Sequence, residues 1–489
     1  MNAVLAATPL GVILVGMVLL RRSAIVSGAA GLAVAALLAA AVFRPADGIA
    51  PMATGVAAEA AFTTATILWI ILPALALFEF QKASGAIARI RDGLAALTDD
   101  RRLQAILIAW FFGLFMEGAA GFGTPVALAA PLLVGLGYAP VRAVVLALLG
   151  HAAGVSFGAV GTPVLAQVAV SGLPARDIAV QIAVLHALVA PLLLLAMVRL
   201  ADDAPLTGRD VGWTAFAAAC VLLPSVLLAA LVGPELPTLG GALIGAAVFV
   251  AVLRRGQARA ASGAGLPADL APYALILALV LATRLIPPLQ DALSGLTLSW
   301  SLPGGYAGTV QPLTHPGTLL MAGLLLGALG TGRAALLPGA LATALRRLLP
   351  VALALLVMLT LSRLMVHADM IRSLASAAAG AGAIWPLLAP FVGVLGSFIT
   401  GSATSSNILF TELQVSTAER LGLPPATLVA AQGYGSAIGN ITAPHNIIAG
   451  CATVGLTGRE GAVLAETVRP CLLYAGAGGA LILAWLALS

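Results

Sequence analysis

The sequence predicts an all-α membrane protein whose chain crosses the bilayer many times. Three observations support this prediction: 61% of the 489 residues are hydrophobic, only 9% are charged, and the mean hydropathy is +1.08. Soluble domains carry about a quarter charged residues, and a helix needs about 20 apolar residues to span a membrane. Such runs recur along the whole chain, so the composition excludes a soluble globular domain.

The apolar runs are the elements of this predicted fold. We count about 14 spans or part-spans on the criterion of length. One run, residues 423–454, is too long and too often interrupted by glycine and proline to form one ordinary helix. The predicted runs cover residues 4–20, 25–43, 62–80, 105–115, 141–160, 178–198, 211–232, 239–253, 270–285, 319–329, 349–365, 384–399, 423–454 and 470–488.

The basic residues predict the orientation of these spans. Residues 21–22 are arginines that follow the first apolar run, which is the reverse of a secretory signal, so that run is predicted to be a retained span. Basic loops at residues 82–102, 254–259 and 333–347 are expected in the cytoplasm, and residues 287–316, which lack Lys and Arg, outside. The N-terminus is therefore predicted to lie outside the cell.

The same distribution limits the partners and cofactors of the chain. The formal net charge is +5 and the isoelectric point is about 9.6, values also found in nucleic-acid-binding proteins. Loop arginines of a membrane protein explain them without nucleic acid. The cysteines Cys220, Cys451 and Cys471 are scattered in apolar surroundings, which predicts neither a disulfide framework nor a metal cluster. We expect membrane lipids as partners and no cofactor.

The two halves of the chain carry similar glycine- and proline-rich breaks in the same order. "GFGTP" begins at Gly121 and "GSATS" at Gly401, and each is followed by a second break, "GAVGTP" or "GNITAP". The basic loops make the two equivalent spans cross in opposite directions. We therefore predict an inverted repeat with residues 1–253 as the first repeat, 254–269 as a cytoplasmic linker and 270–489 as the second repeat.

Interrupted segments at matching places in two inverted halves indicate the binding site of a transporter near the middle of the membrane. A helix that restarts after a break exposes backbone N–H groups and the positive end of its dipole. Non-helical backbone at this depth must line a cavity or be packed in protein. The alternative is that the glycines only allow helices to pack closely.

The residues of these breaks resemble the bacterial L-lactate permease family. The resemblance lies in "MEGAAGFGTPVALAAPLLVGLGY" (residues 116–138), "GPELP" (residues 233–237) and "GSATSSNILF" (residues 401–410), and it extends over essentially the whole chain. It implies a proton-coupled importer of L-lactate, D-lactate and glycolate in the bacterial inner membrane, with re-entrant hairpins and an elevator-type motion. Some members carry Asp where this chain has Ala403, so a carboxylate there is not essential to all.

Proton coupling would need a titratable group near the site. Lactate is an anion, and a membrane potential opposes its entry by about 2.3 kcal/mol per 100 mV unless a proton accompanies it. Glu117 is the leading candidate because burial favours a protonated carboxyl, although it could instead be a structural group that fixes the hairpin. The other candidates are His151, His367 and Asp369, for which a satisfied structural histidine or a solvated ion pair is the alternative.

Polar residues at the breaks are candidates for substrate binding. Hydroxyls and amides could bind the carboxylate or the 2-hydroxyl of the substrate, but many such groups only cap helix ends. Arg363 lies well inside an apolar span and is the predicted buried cation. The candidate set is Gly121, Gly123, Thr124, Ser402, Thr404, Ser405, Ser406, Asn407, Asn440, His445 and Arg363.

Three other classes of protein are alternatives to a proton-coupled carrier: an enzyme, a channel and a sodium-coupled transporter. The chain has no HExxH or G-x-S-x-G motif, so an enzyme is not expected. A channel predicts flux that does not saturate readily and no stoichiometric proton movement. A sodium-coupled carboxylate transporter of related architecture is the nearest alternative, because unwound carbonyls can hold a cation. A homodimer is compatible with the sequence but is not indicated by any motif.

Overall fold

The computed structural model describes residues 2–20, 22–43, 48–121, 123–255 and 266–488. Within these ranges, eleven helices are long and apolar enough to cross a membrane. Three shorter apolar helices, Asn2–Met17, Thr124–Gly135 and Pro316–Gly330, accompany them. The predicted fold class, an all-α polytopic membrane protein, is confirmed. Most of the predicted linker falls on residues 256–265, which lie outside the described residues.

The described part of the first half contains twelve helices, α1 to α12, and π-helical or 3-10 segments extend several of them. They are α1 (Asn2–Leu14), α2 (Ala24–Leu38), α3 (Ile49–Ala83), α4 (Ala86–Ala95), α5 (Arg101–Ala105), α6 (Gly113–Ala119), α7 (Thr124–Gly135), α8 (Pro140–His151), α9 (Gly158–Ser171), α10 (Ala175–Ala201), α11 (Gly208–Leu231) and α12 (Pro237–Arg255), with π-helical segments Val15–Leu19, Ala39–Phe43 and Ile106–Phe112 and the 3-10 segment Ala152–Phe157.

The described part of the second half contains ten helices and a short β-hairpin, whose strands pair antiparallel from Leu298↔Val310 to Leu302↔Tyr306. Its elements are α13 (Leu266–Leu285), α14 (Pro287–Ser294), β1 (Leu298–Leu302), β2 (Tyr306–Val310), α15 (Pro316–Gly330), α16 (Leu337–His367), α17 (Met370–Ala379), α18 (Trp385–Thr400), α19 (Ala403–Leu421), α20 (Pro425–Gly439), α21 (Pro444–Thr453) and α22 (Glu460–Leu488), with 3-10 segments Ala334–Leu336, Gly382–Ile384 and Asn440–Thr442.

Each predicted apolar run overlaps helical structure, and residues 423–454, predicted to be too interrupted for one helix, form the two helices α20 and α21. The lengths of several helices were underestimated. α3 begins at Ile49 rather than at residue 62, because its alanine-rich start is a strong helix former although it is less apolar. α7 and α19 were not predicted as separate helices. The strands β1 and β2 were not predicted either, because the region was expected to be an external loop.

The long helices α3 and α16 pack against each other in antiparallel orientation. Glu59, near the start of α3, lies 2.9 Å from His367 at the end of α16. At the other end, Glu79 lies 2.7 Å from Arg347. The chain therefore leaves α3 and α16 on opposite sides of the molecule. Each is followed by an amphipathic ten-residue helix, α4 or α17.

Residues 101–135, which we call hairpin 1, enter and leave on the same side. The Arg101 guanidinium donates a hydrogen bond to the Gly137 carbonyl at 3.2 Å and stacks 4.4 Å above the ring of Tyr138. The Tyr138 hydroxyl in turn donates to the Arg101 carbonyl. Since both ends of the hairpin are joined here, its tip, which includes Gly121 and Gly123, lies inside the protein.

Residues 385–421, hairpin 2, form the corresponding element after α16. The Trp385 indole N–H donates to Gln414 Oε1 at 3.0 Å, and the Ser406 hydroxyl donates to the Gly393 carbonyl at 3.0 Å. These contacts hold its two limbs antiparallel. Because α3 and α16 end on opposite sides, the two hairpins enter the protein from opposite sides, as the inverted repeat predicted.

Each hairpin is followed by a helix that is interrupted in the middle. Broken helix 1 (residues 140–171) changes to a 3-10 segment at Ala152–Phe157, and broken helix 2 (residues 425–453) does so at Asn440–Thr442. Val155, Ala403 and Ala437 form one buried apolar cluster, which joins the first interruption, hairpin 2 and broken helix 2. The breaks of the two halves therefore lie together inside the fold.

Candidate functional site

Two glycines shape the tip of hairpin 1. Gly121 and Gly123 have φ values of 58° and 77°, a left-handed conformation that residues with a Cβ rarely adopt. The Thr124 hydroxyl donates to the Gly121 carbonyl at 2.7 Å, and the Thr124 amide donates to the same oxygen at 3.0 Å. The tip is therefore a tight turn, and the predicted ligand Thr124 already uses its hydroxyl proton within it.

The tip of hairpin 2 consists of Gly401 and Ser402. Gly401 has a φ of 71°, and the Ser402 hydroxyl accepts a hydrogen bond from the Ser405 amide at 3.3 Å. The other amides in the first turn of α19 have no partner within the helix, and the helix dipole places about half a positive charge there. This tip therefore offers backbone donors that suit an anion.

Both tips lie against the same stretch of broken helix 2. A Cβ built on Gly123 would lie 3.1 Å from Asn446 Oδ1, and one built on Gly401 would lie 3.1 Å from His445 Cβ. Both neighbours follow Pro444, with which helix α21 begins. Two hairpins that enter from opposite sides therefore meet at one interruption, and glycine is needed at both points of closest approach.

Broken helix 1 is strained where it meets the tip of hairpin 1. Ala159 and Val160 have φ values of 42° and 55°, and a left-handed residue other than glycine costs about 1–2 kcal/mol. A Cβ on Gly121 would lie 3.3 Å from Ala159 Cβ. Strain of this kind persists only where the surrounding structure imposes it, and it is concentrated at functional sites. No feature of the sequence indicated this strain.

Glu117 and His151 form a buried pair beside this tip. Their exposed fractions are 5% and 1%, and Glu117 Oε2 lies 3.9 Å from His151 Nε2. His151 Nδ1 lies 2.6 Å from the Ala147 carbonyl, which can only accept, so Nδ1 carries a proton and Nε2 faces the carboxyl group. The pair can therefore hold one further proton, either on Nε2 or on the carboxyl. The structure thus brings together two of the four candidates for proton coupling, Glu117 and His151.

The space for the Glu117 carboxyl depends on Gly158. A Cβ built on Gly158 would overlap Glu117 Oε1. Because the φ of Gly158 is −64°, a value open to any residue, the position requires glycine for space and not for its backbone conformation. Broken helix 1 therefore supplies both the imidazole and the gap into which the carboxyl fits.

The predicted polar ligands on α19 fall into two sets. Ser406 and Asn407 are fully buried; Ser406 donates to a carbonyl of the first limb of hairpin 2, and Asn407 Nδ2 donates to the Pro163 carbonyl at 3.0 Å. Asn407 Oδ1 is buried without a partner among the described residues. Thr404 and Ser405 lie in the first turn next to the tip, with exposed fractions of 5% and 8%. Thr404 and Ser405 are therefore better placed than Ser406 and Asn407 to bind an anion at the tip.

Asn440 and Asn446 brace the interruption of broken helix 2. Asn446 Nδ2 donates to the Asn440 carbonyl at 3.0 Å and also to Asn440 Oδ1. His445 is exposed, with its Cβ towards Gly401. Asn440 and His445 were predicted from the sequence, whereas Asn446, the residue that touches the tip of hairpin 1, was not. The sequence signal that could have identified Asn446 is a polar side chain shortly after the break, in "APHN" (residues 443–446).

The structure does not bring Arg363 and Asp369 to the tips. Arg363 donates to the Ala169 carbonyl at 3.0 Å and lies 3.6 Å from Glu412, well along α19 from the tip of hairpin 2. Asp369 is exposed at the start of α17, 3.4 Å from Arg372. The geometry therefore supports neither as a ligand at the tips. Sequence spacing could not show which face of α16 meets hairpin 2.

Two carboxylates near Arg363 were missed. Glu59 was assigned to the region before a span predicted to begin at residue 62, whereas α3 includes it. Glu412 lies in the second limb of hairpin 2, which was not predicted as a helix. In both cases the signal was a lone carboxylate in an apolar sequence, which is a functional candidate by default inside a membrane.

Two re-entrant hairpins from opposite sides, each followed by an interrupted helix, define the class of this protein as a polytopic transporter built on an inverted repeat. A similar solved structure is that of the YdaH transporter from Alcanivorax borkumensis, with a TM-score of 0.50, 15% sequence identity and coverage of 91% of this chain and 90% of that chain. This likeness concerns the fold alone.

The chain belongs to the L-lactate permease family, whose family model matches residues 2–295 and 307–487. The glycolate permease GlcA of Escherichia coli K12 is 30% identical over 99% of this chain and 95% of its own length. The L-lactate permeases of Streptococcus iniae and Bacillus subtilis 168 are 30% and 29% identical, over 76% and 96% of this chain and 81% and 93% of theirs. The resemblance in the sequence is confirmed, and the relatives are permeases, not enzymes.

Proposed function

We propose that this protein imports L-lactate, together with D-lactate and glycolate, by proton symport across the bacterial inner membrane. Its relatives are named as lactate and glycolate permeases. The observation that carries the proposal is the contact of both hairpin tips with broken helix 2, beside a buried carboxyl–imidazole pair. A small acid and a proton would thus be held close together.

The substrate carboxylate is assigned to the tip of hairpin 2. The free amides at the start of α19 and the hydroxyls of Thr404 and Ser405 would donate to it, in the manner of anions bound at helix N-termini. Asn440 and Asn446 carry both donors and acceptors on the facing helix, which suits the 2-hydroxyl group. Such donors distinguish a 2-hydroxy acid from an unsubstituted one.

The proton is assigned to Glu117 and His151. With a proton on the pair, the substrate anion and the proton together carry no net charge, so the membrane potential no longer opposes import. Burial favours this neutral state, because an unpaired charge is costly in the membrane interior. Binding of the anion nearby would further favour protonation through electrostatic attraction.

The transport cycle would be an elevator-type movement. In this proposal the hairpins and broken helices move as one body against the α3–α16 pair and carry the site from one side of the membrane to the other. The N-terminus would lie outside, because the basic loops are then cytoplasmic. A homodimer would give the stationary helices a fixed partner.

Purified protein in liposomes tests this function. With an inward proton gradient we expect accumulation of labelled lactate accompanied by alkalinisation of the outer solution, and loss of accumulation when an uncoupler is added. Accumulation that requires sodium and survives the uncoupler would instead identify a sodium-coupled carboxylate carrier. Flux that fails to saturate and moves no protons would identify a channel.

A further inference from the structure

A cluster of four ionisable side chains lies where α3 and α16 meet hairpin 2. Glu59 comes from α3, Arg363 and His367 from α16, and Glu412 from α19. His367 Nε2 lies 2.9 Å from Glu59 Oε2, and Arg363 Nη1 lies 3.6 Å from Glu412 Oε1. Arg363 Nε lies 3.9 Å from the Glu59 carboxylate. The cluster is apart from the hairpin tips and has no role in the site described above.

With both carboxylates ionised, the cluster is balanced in charge when the histidine is protonated. The exposed fractions are 13% for the Glu59 and Arg363 side chains, 17% for Glu412 and 25% for His367. Two largely buried carboxylates face one guanidinium, which is always charged. A second positive charge is available only from the imidazole, since histidine is the side chain that changes charge between about pH 5 and pH 8.

Arg363 also joins α16 to broken helix 1. Its Nη2 atom donates to the carbonyls of Ala169 and Val170 at 3.0 Å and 3.1 Å. These carbonyls belong to the last turn of α9, where helix oxygens lack intrahelical partners and attract cations. The Nε atom is buried and has no hydrogen-bond partner among the described residues. Arg363 therefore holds hairpin 2 and broken helix 1 with two nitrogens and keeps a third free towards Glu59.

We propose that His367 is a second proton-binding site, which controls whether Arg363 clamps α16 to hairpin 2 and broken helix 1. This inference rests on the proposed proton-coupled transport, and it assigns the proton an effect on movement in addition to charge neutralisation. When His367 is protonated, it neutralises Glu59, and Arg363 remains on Glu412 and the α9 carbonyls. When His367 loses the proton, Glu59 keeps no cation except Arg363, which turns its free nitrogen to Glu59 and releases the other partners.

Other ionisable groups near the cluster do not offer the same switch. The Tyr306 ring, from β2, lies 4.6 Å from the His367 ring, and a phenol is neutral in this range. Asp369 and Arg372, beyond the end of α16, are exposed and 3.4 Å apart, so they neutralise each other. Glu419, an exposed residue of the same helix, repels the Glu412 carboxylate electrostatically. His367, a quarter exposed, is the group that can exchange protons here.

Hydrogen–deuterium exchange of the full-length protein in lipid nanodiscs tests the clamp. Exchange is measured at about pH 5.5 and about pH 8, near the two ends of the range in which histidine side chains in general change charge, and corrected for the intrinsic rates. We expect residues 165–171 and 408–421 to exchange about tenfold faster at the higher pH, the effect of losing one hydrogen bond to a charged group. Unchanged exchange in the native protein would overturn the proposal.

Three substitutions sharpen this test. His367→Gln should give fast exchange at both pH values, and His367→Arg slow exchange at both. Glu59→Gln, which removes the competing carboxylate, should also keep exchange slow, so a poorly folded histidine variant would not end the test. Persistence of the native pH dependence in His367→Gln, or of fast exchange at the higher pH in Glu59→Gln, would contradict the proposed switch.

Glu79→Gln is the matched control. It removes the ion pair at the opposite end of the α3–α16 contact, in which Arg347 lies 2.7 Å from Glu79 and no histidine takes part. The pH dependence of exchange in residues 408–421 should remain as in the native protein. The readout does not depend on lactate. A protein that proves to be sodium-coupled can therefore still show the clamp, and a proton symporter can lack it.

Discussion

The two hairpins are alike in shape and different in chemistry. One helical turn before its tip glycine, hairpin 1 carries Glu117, which lies 3.9 Å from His151 in the last turn of α8. At the same place hairpin 2 carries Ser397, whose hydroxyl donates to the Ser436 carbonyl, in the last turn of α20, at 2.7 Å. The same contact between hairpin and broken helix is therefore ionisable in the first repeat and neutral in the second.

This difference indicates a division of tasks within a symmetric fold. Beside the tips, the first repeat holds the pair that can gain or lose a proton, and the second presents the amides and hydroxyls that suit an anion. Because both tips contact the residues after Pro444, the two tasks are close enough to influence each other electrostatically.

The largest effect is expected from Glu117→Gln. A gradient of one pH unit can drive about tenfold accumulation of a substrate carried with one proton. The variant should lose this accumulation and retain exchange of lactate for lactate, because the amide cannot carry the proton but fills the same space. Counterflow and gradient-driven uptake in liposomes measure the two activities, and normal accumulation would show that Glu117 is only structural.

Ser397→Ala is the matched control in hairpin 2. It removes the equivalent contact but no titratable group, and it should keep both the accumulation ratio and its dependence on the proton gradient. A loss of coupling in this variant equal to that in Glu117→Gln would mean that the contact, and not its charge, matters. The comparison between the two hairpins would then fail.

A large effect is also expected from Gly158→Ala. The added methyl group would overlap the Glu117 carboxyl, and overpacking of this kind costs about 1–3 kcal/mol. We expect proton-driven uptake to fall about tenfold, with a smaller change in exchange. Gly93→Ala serves as the control, since nothing lies within 4 Å of the added atom there. Unaltered uptake in Gly158→Ala would show that the position of the carboxyl is not critical.

Ser402→Ala should have a moderate effect on substrate affinity. It removes the cap at the start of α19, where the hydroxyl accepts from the Ser405 amide at 3.3 Å, and loss of a cap costs about 1 kcal/mol. We expect the KM for lactate exchange to rise about fivefold with coupling intact. Initial rates of exchange at varied lactate concentration measure this. An unchanged KM would indicate that the substrate carboxylate does not bind at the start of α19.

The smallest effect is expected from Asp369→Asn. Its side chain is 63% exposed and pairs with Arg372 at 3.4 Å, and exposed ion pairs contribute about 0–1 kcal/mol. Uptake and coupling should change by less than about twofold for this reason. If Asp369→Asn lost the accumulation of lactate, Asp369 would have to be a proton-coupling residue.

The sequence predicted the membrane class, nearly all spans and the two opposed breaks, because hydrophobic length and glycine–proline interruptions are local properties of the chain. It also named Glu117 and His151, which lie in one hairpin and the following helix. It did not predict that Asn446 touches Gly123 or that Glu59, Arg363 and Glu412 share one interface. Those contacts depend on which helix faces pack together, and the spacing of residues in a single sequence does not show which faces meet.

If the two hairpins divide their tasks as proposed, lactate binding to the second repeat is linked to protonation in the first. Proton uptake by purified protein on addition of lactate, followed with a dye in weakly buffered solution, measures this linkage directly. We expect proton uptake in the native protein and in Ser397→Ala, and none in Glu117→Gln. Proton uptake that persists in Glu117→Gln would rule out this linkage.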